Sequence, residues 1–429
     1  MSGKRRAIAT AITMALGWAA SAHAAGFGLF EAGTRAMGMA GAFTAQADDG
    51  SAMFHNVAGL AFAEKREFLV GATYITFSEA TFDGADPYPG AGISEEQSSL
   101  NETLPHFYYT QPLSGGEWTF GFGVYAPFGL TTQWKNPEDF TGRYLSTRAA
   151  LRVVDIAPNI AWRVTPNFGI GLGVYARLSD VELDRWIPFV NPYTQQVIDA
   201  GYVGLESDLG NAYGFSVGVL HRYNNSFSWG FSYRSKSKVE YEGDARFTQI
   251  STGIPQLDAA LAAQIPFGQD VPVETEIEYP DQASLGFAIA ISPSVRMEVD
   301  ANWTGWSTFD EVPITFVGYP QLSSALPEEW EDCYNYRLGL SWKANPTDEW
   351  RFGYVYDETP QPEKHVSPLL PDNDRNGFTI GYGHQFSKTS LDLALMYLPF
   401  DERKVEESES RYYGTYNTTA WLFGVSLGF

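Results

Sequence analysis

The sequence predicts an all-β fold, a 14-stranded antiparallel transmembrane β-barrel plugged by a small N-terminal helical hatch. Three observations predict it. Apolar residues fall at every second position through most of the chain, with Gly, Ser, Thr or charged residues between them. That is the period of a strand with one greasy face and one small or polar face. The connections between these runs alternate short and long, the pattern of outer-membrane barrels. The composition agrees, with 42 Gly, 15% aromatic residues and a single cysteine, Cys333, so an exported chain has no internal disulfide to stabilise it. A soluble β-sandwich would bury its apolar face and gives no reason for turn lengths to alternate.

Taken in order, the chain opens with Lys4, Arg5 and Arg6, an apolar stretch over 7–20 and the small-residue pattern Ser21-Ala22-His23-Ala24. These are the parts of a secretory signal peptide, placed at 1–24. Its removal leaves 25 Lys and Arg against 51 Asp and Glu, a net charge of −26, which repels nucleic acid. No later segment offers roughly 18 consecutive apolar residues, which excludes a helical membrane protein.

Residues 25–63 lack the strand period and hold helix-compatible pieces at 39–47 and 52–56, separated by Asp48-Asp49-Gly50 with Ser51 as a predicted N-cap. A ring of fourteen strands is too wide for wall side chains alone to fill, and this inward face is largely Gly and Ser. The small residues of 25–63 suit a plug inside it.

The barrel follows over 64–429, with strands starting near 68, 106, 118, 150, 168, 213, 227, 283, 295, 336, 350, 378, 390 and 419. Six connections are short, at Ser114-Gly115-Gly116, Thr165-Pro166-Asn167, Asn224-Asn225, Ser292-Pro293, Asn345-Pro346-Thr347 and Ser387-Lys388, and the seven between them are long. Trp118, Tyr125, Trp162, Tyr175, Trp342 and Trp350 stand at strand ends, where interfacial girdles are expected. The last strand places Trp421, Phe423, Val425, Leu427 and Phe429 on one face. An amphipathic strand ending on an aromatic resembles the signal read by the barrel-assembly machinery.

Ala25-Gly26-Phe27-Gly28-Leu29, the hatch run with Asp48-Asp49, "VYAPFGLTTQW" (124–134), "GVYAR" (173–177), "YRLGLSW" (336–342), "TPQPEKHVSPLLPDNDR" (359–375) and the terminal Phe occur together in one order. In this the chain resembles the FadL family of outer-membrane hydrophobic-compound transporters, which includes long-chain fatty-acid importers and toluene-type relatives. It departs from the family at Asn56-Val57-Ala58, where Asn-Pro-Ala is usual. The resemblance implies ligand capture in the loops, transfer to a lumenal pocket, movement of a hatch that includes Phe27, Asp48, Asp49 and Asn56, and exit at a kink in strand three. Pro127-Phe128-Gly129 gives the kink a physical basis, because Pro lacks a ladder donor and Gly permits a bulge. Ordinary strand termination stays open as the alternative.

Candidate ligand contacts are Arg185, Trp186 and Phe189 in one long loop, and Leu257, Leu261, Ile265 and Phe267 in another. Leu257, Leu261 and Ile265 share a helical face, and these apolar groups either line a groove or pack the loops together. For an anionic ligand the resemblance makes Arg185 the first cation, and it brings Asp372, Asp374 and Arg375 to the pocket. Glu328-Glu329-Trp330-Glu331-Asp332 stands where fatty-acid carriers have a basic residue, which favours neutral hydrocarbons. Lumenal Arg177, Arg234, Arg296, Arg337 and Arg351 are expected to pair with Glu298, Asp300 or hatch carboxylates.

The six histidines show no metal-ligand spacing, and no phosphate loop or nucleophile elbow appears, so no metal, cofactor or catalytic residue is expected. Acidic loop residues such as Asp180, Glu182, Asp184 and Asp208 read as a solvated face. The resulting expectation is a monomeric, non-enzymatic, passive uptake channel for long-chain fatty acids or aromatic and aliphatic hydrocarbons in the Gram-negative outer membrane. Its partners are the hydrophobic ligand, outer-membrane lipid and lipopolysaccharide, and the assembly machinery. A general diffusion porin and an outer-membrane lipid hydrolase are the alternatives.

Overall fold

The computed structural model describes residues 26–429; the predicted signal peptide and Ala25 lie outside them. Fourteen strands close an antiparallel ring: β1 (Glu67–Gly84), β2 (Asn101–Pro112), β3 (Trp118–Tyr125), β4 (Arg148–Thr165), β5 (Phe168–Val190), β6 (Gly210–Asn224), β7 (Phe227–Arg234), β8 (Gln282–Ser292), β9 (Val295–Thr304), β10 (Cys333–Lys343), β11 (Asp348–Asp357), β12 (Arg375–Gln385), β13 (Ser390–Pro399) and β14 (Gly414–Gly428). The seam runs from Leu69 opposite Gly428 to Gly84 opposite Gly414. Closure pairs the backbone polar groups that lipid cannot satisfy. The predicted rhythm is visible in β14, where Phe423, Val425, Leu427 and Phe429 face outward and Leu422 and Ser426 are buried.

Eight further short strands lie in the long loops, among them Gly129–Gln133, Val197–Ser207, Ser237–Gln249, Asp270–Tyr279 and Glu311–Phe316. Several extend the ladder above the ring; Val197–Ser207 pairs with the far end of β5, and Ser237–Gln249 pairs with it in turn.

The segment 26–63 fills the lumen. It holds helices α1 (Thr34–Met37) and α2 (Ala52–His55) and a 3₁₀ segment, Val57–Phe62. The helix expected over 39–47 is absent, and the wall explains why. The amides of Phe43 and Thr44 go to Asp300 Oδ2, both at 3.0 Å, and that of Ala45 goes to Glu298 Oε1 at 2.5 Å, so they are taken from any helical ladder. Gly41 adopts φ +76°, and a side chain there would collide with the guanidinium of Arg337. Ser51 does not cap α2 with its side chain, because its hydroxyl and amide both donate to Asp49 Oδ1.

Two other expectations are corrected. Tyr125 and Tyr175 are not girdle residues; the pleat turns both inward, where each is 2% exposed. Trp118 and Trp162 do face outward and stack across β3 and β4 at 5.5 Å. Glu298 and Asp300 grip hatch amides rather than pairing with arginines, while Arg177 and Arg234 share Asp155, and Arg351 bonds Glu349 and Asp392. The inward face therefore carries a charged network among its Gly and Ser residues.

Candidate functional site, a divided lumen

Strand three breaks where Pro127 removes a donor. Tyr125 is opposite Asp155 on β4 and Gly129 is opposite Arg152, so the chain carries one extra residue and bends inward between them. The continuation pairs with the N-terminal strap, residues 26–30, in place of β2. Leu29 N donates to Pro127 O and Gly129 N to Phe27 O, both at 2.9 Å, around a Gly28–Phe128 bridge. On β2, Phe107 opposite Val124 is the last pair with strand three, so residues 101–106 are laddered to β1 alone. Pro105 suits that edge, since it has no N–H to leave unpaired. Leu29 packs in one apolar cluster with Leu104 and Ala126, at the inner side of this interruption.

The strap also floors an apolar pocket. Phe27 is 1% exposed and ringed by Trp306, Phe309, Trp330, Phe128 and Tyr279, with centroids 4.6 to 6.1 Å away, mostly edge-on. Such pairs add about 0.5–1.5 kcal/mol each beyond area burial. Asp372 Oδ2 accepts from Gly26 N at 3.0 Å and so ties the strap to the loop after β11. Above Phe27 lies a cavity of about 80 Å³ walled by Leu130, Leu151, Val181, Ile277, Val312 and Leu370, with Glu182 and Thr275 the only polar contributors. Engineered cavities that take benzene measure about 150 Å³, so beside the Phe27 ring the space left is smaller than one that holds a single aromatic ring.

A wider vestibule of about 270 Å³ adjoins it through the shared residues Leu326 and Leu369. Arg185, Lys364 and Glu328 line it. Glu328 is buried in the loop before β10; its carboxylate accepts from Trp330 Nε1 at 2.9 Å, and burial pushes it up to about 8. Below the strap is a polar cavity of about 70 Å³, with Arg234 and Arg337 in its walls. On the short-turn side, spaces of about 330 and 510 Å³ meet at Asp48 and Asp49. Asp48 accepts from Arg35 at 3.2 Å. Asn56 donates to Thr44 O and Val219 O and accepts from Ala58 N, bonding hatch to wall without the family's proline.

The predicted ligand contacts separate into three groups. Arg185 lines the vestibule. Trp186 packs on Arg143 and Tyr202, while Phe189, Ile265 and Phe267 join Leu257 and Leu261 in a cluster around Ala200. The helix Pro255–Ala262 thus turns its leucines onto the neighbouring loop around Ala200, Phe189 and Ile198, the loop-packing arrangement of the two the sequence left open. Asp374 accepts from Tyr356 Oη and Thr359 N, and Arg375 is buried between Asp357, Asp372 and Phe400. Asp180 and Glu182 bond Arg152, and Glu182 also bonds Arg148, so this acidic face is partly neutralised. Sequence reasoning missed Trp306, Phe309 and Tyr279. The available signal was aromatic density in long loops that lack a strand period.

The family profile described as "Outer membrane protein transport protein (OMPP1/FadL/TodX)" matches residues 15–429. The long-chain fatty acid transport protein of Escherichia coli O6:H1 is 22% identical over 99% of this chain and 97% of its own length. Outer membrane protein P1 of Haemophilus influenzae is 23% identical over 96% and 94%. Among solved structures, a Pseudomonas aeruginosa FadL homologue superposes with TM-score 0.81 at 19% identity, covering 94% of this chain and 99% of that one. The Pseudomonas putida toluene transporter TodX gives 0.69 at 17%, covering 94% and 98%.

Proposed function

Because the chain belongs to the outer membrane protein transport family typified by OMPP1, FadL and TodX, whose members are transporters of the Gram-negative outer membrane, we propose that it is a passive uptake channel for hydrophobic compounds. In this reading residues 25–63 act as hatch and 64–429 as barrel. Ligand enters the vestibule beside Arg185, passes Leu326 and Leu369 into the apolar pocket, and displaces Phe27. It then leaves sideways into the membrane through the interruption between β2 and strand three, which Leu29 closes at rest. Relatives named for fatty acids and for toluene set the range of candidate ligands.

One observation carries the proposal: strand three abandons its neighbour and pairs with the strap, so the same segment floors the pocket and closes the wall. Transport needs no energy source, because apolar surface gains about 25 cal/mol per Å² on leaving water for lipid. Cysteines at Leu29 and Leu104, in a Cys333→Ala background, would be bridged by o-phenylenedimaleimide in whole cells. Uptake of radiolabelled toluene and of oleate is expected to fall to the level of a deletion strain after bridging, and to persist without the reagent. Uptake unchanged by a verified bridge would overturn lateral release. Lipopolysaccharide, surrounding lipid and the assembly machinery are the proposed partners of a monomeric barrel.

A further inference from the structure

The polar cavity under the strap has no part in a route for purely apolar ligands, yet it is built with care. Arg234 comes from β7, Arg337 from β10 and His55 from α2, while Asn302, Asn335 and Ser284 add neutral polar groups. Arg234 is 5% exposed and donates to Tyr125 Oη at 3.1 Å, Phe54 O at 3.2 Å and Asp155 Oδ2 at 3.3 Å. Asp155 is already held by Arg177 through two bonds, at 2.9 and 3.0 Å, so one carboxylate serves two guanidiniums. Arg337 donates to two neutral acceptors, Asn335 Oδ1 at 2.9 Å and Gly41 O at 3.3 Å, and stacks over Phe30 of the strap at 4.2 Å. The walls include the carboxylate of Asp357, which faces Arg375 at 3.6 Å and, together with Asp300 and Glu31, also acts on Arg337, so Arg337 is partly countered but hydrogen-bonded only to neutral groups.

A second observation points the same way. His55 Nε2 is buried and has no hydrogen-bond partner, although the ring lines the cavity. Its pKa is pushed down to about 3, by burial first and then by Arg337 and Arg234. A buried ring nitrogen without a partner costs free energy, and as the N–H donor of the neutral imidazole beside Arg234 and Arg337 it would be satisfied by an anion.

We infer that this cavity is a second ligand station, one that receives the anionic head of an amphiphile whose chain occupies the apolar pocket once Phe27 has withdrawn. The inference rests on the uptake reading above. The strap lies between the two spaces, bordering the apolar pocket with Phe27 and the polar cavity with Gly28, Leu29 and Phe30. A carboxylate fits the small polar volume, and two arginines from one arc of the wall, on β7 and β10 with β8 and β9 between them, give it charge-assisted bonds. Leu29 then lies between the head and the interrupted wall, so the head is held while the chain finds lipid.

Decanoate and decanol, titrated calorimetrically into the full barrel in nonionic detergent, separate head from chain. Wild type is expected to bind both, decanoate more tightly. Arg234→Gln and Arg337→Gln should each weaken decanoate by about tenfold or more and leave decanol within about twofold, and Arg337→Lys should restore most of the difference. Heat-modifiable gel mobility checks that each variant is a folded barrel. If the variants do not fold, wild-type Trp fluorescence decides, with Trp303→Phe identifying the cavity's own signal: 2-bromodecanoate should quench Trp303 more than 10-bromodecanoate. Equal losses for both ligands, no loss for either, or equal quenching would overturn the station. Failure of decanol to bind wild type would sink the uptake reading itself, whereas decanol binding with arginine-insensitive decanoate sinks the station alone.

Discussion

The strap, residues 26–30, and the hatch body behind it, residues 31–62, are held in the same lumen by different forces. The body is clamped by directional bonds from the wall. Tyr108 Oη donates to Ala32 O, Thr379 Oγ1 to Gly38 O, Ser228 Oγ to Ala45 O, and Asp300 and Glu298 accept from three successive amides. Wall glycines bring the backbones together, so that a Cβ at Gly230 or Gly353 would overlap the hatch main chain. The strap has two antiparallel bonds to a bent strand, one carboxylate contact and a ring of aromatics. Apolar burial is non-directional and can be re-formed around a ligand, whereas a buried amide that loses its acceptor stays unsatisfied. The proposed uptake route therefore gives sealing and gating to separate parts of one short segment.

The strongest way to break this comparison is to unfasten the body. Glu298→Ala with Asp300→Ala leaves three hatch amides without acceptors, at about 1–3 kcal/mol each and partly offset by relief of the buried carboxylates. Planar-bilayer recordings should then show persistent small-ion conductance that wild type lacks; a variant as tight as wild type would show that the body is not what seals. Next in size, Phe27→Ala should cost about 3–5 kcal/mol of local packing. Hydrogen exchange should speed up at the amides of Leu29 and Gly129 while those of Phe43 and Thr44 stay protected. Equal acceleration in both places would mean that strap and body move as one.

A smaller effect is expected from pH. Glu328 has a folded pKa raised by burial to about 8, against about 4.5 for an ordinary glutamate. Its contribution is fully present below the unfolded value and is lost as pH rises through about 8, because the unfolded chain releases the proton more readily. Apparent melting temperature should fall between about pH 5 and 8 and level off above that, together with exchange protection near Trp330, and Glu328→Gln should flatten that slope. Smallest is Thr379→Ala, which removes one hydroxyl bond to Gly38 and should cost about 0.5–1.5 kcal/mol in a urea titration. It leaves the other body contacts standing.

How much of this was legible depended on whether the cause was local. The strand period and turn alternation are local, and they placed all fourteen strands within a few residues. Pro127 and Gly129 were legible for the same reason, since each limits its own backbone. The 39–47 stretch misled because its Ala and Met residues favour helix, while Asp300 and Glu298, more than 250 residues away, decide where its amides point. Leu257 and Leu261 were read correctly as one helical face, but spacing says nothing about which partner the face meets. The polar cavity was invisible because Arg234, His55 and Arg337 meet only after the ring closes.

The seam between β1 and β14 is also fastened to the hatch: Thr73 Oγ1 donates to Glu31 O, and Ser426 Oγ bonds Thr34 Oγ1 and His106 Nε2. A segment as broad as the bore, gripped on every side, cannot be threaded into a finished cylinder. Seating residues 26–63 before the final stave arrives spares that threading, which ties the order of assembly to the shape. Misplacing residues 26–63 would then be felt as a failure to complete the wall.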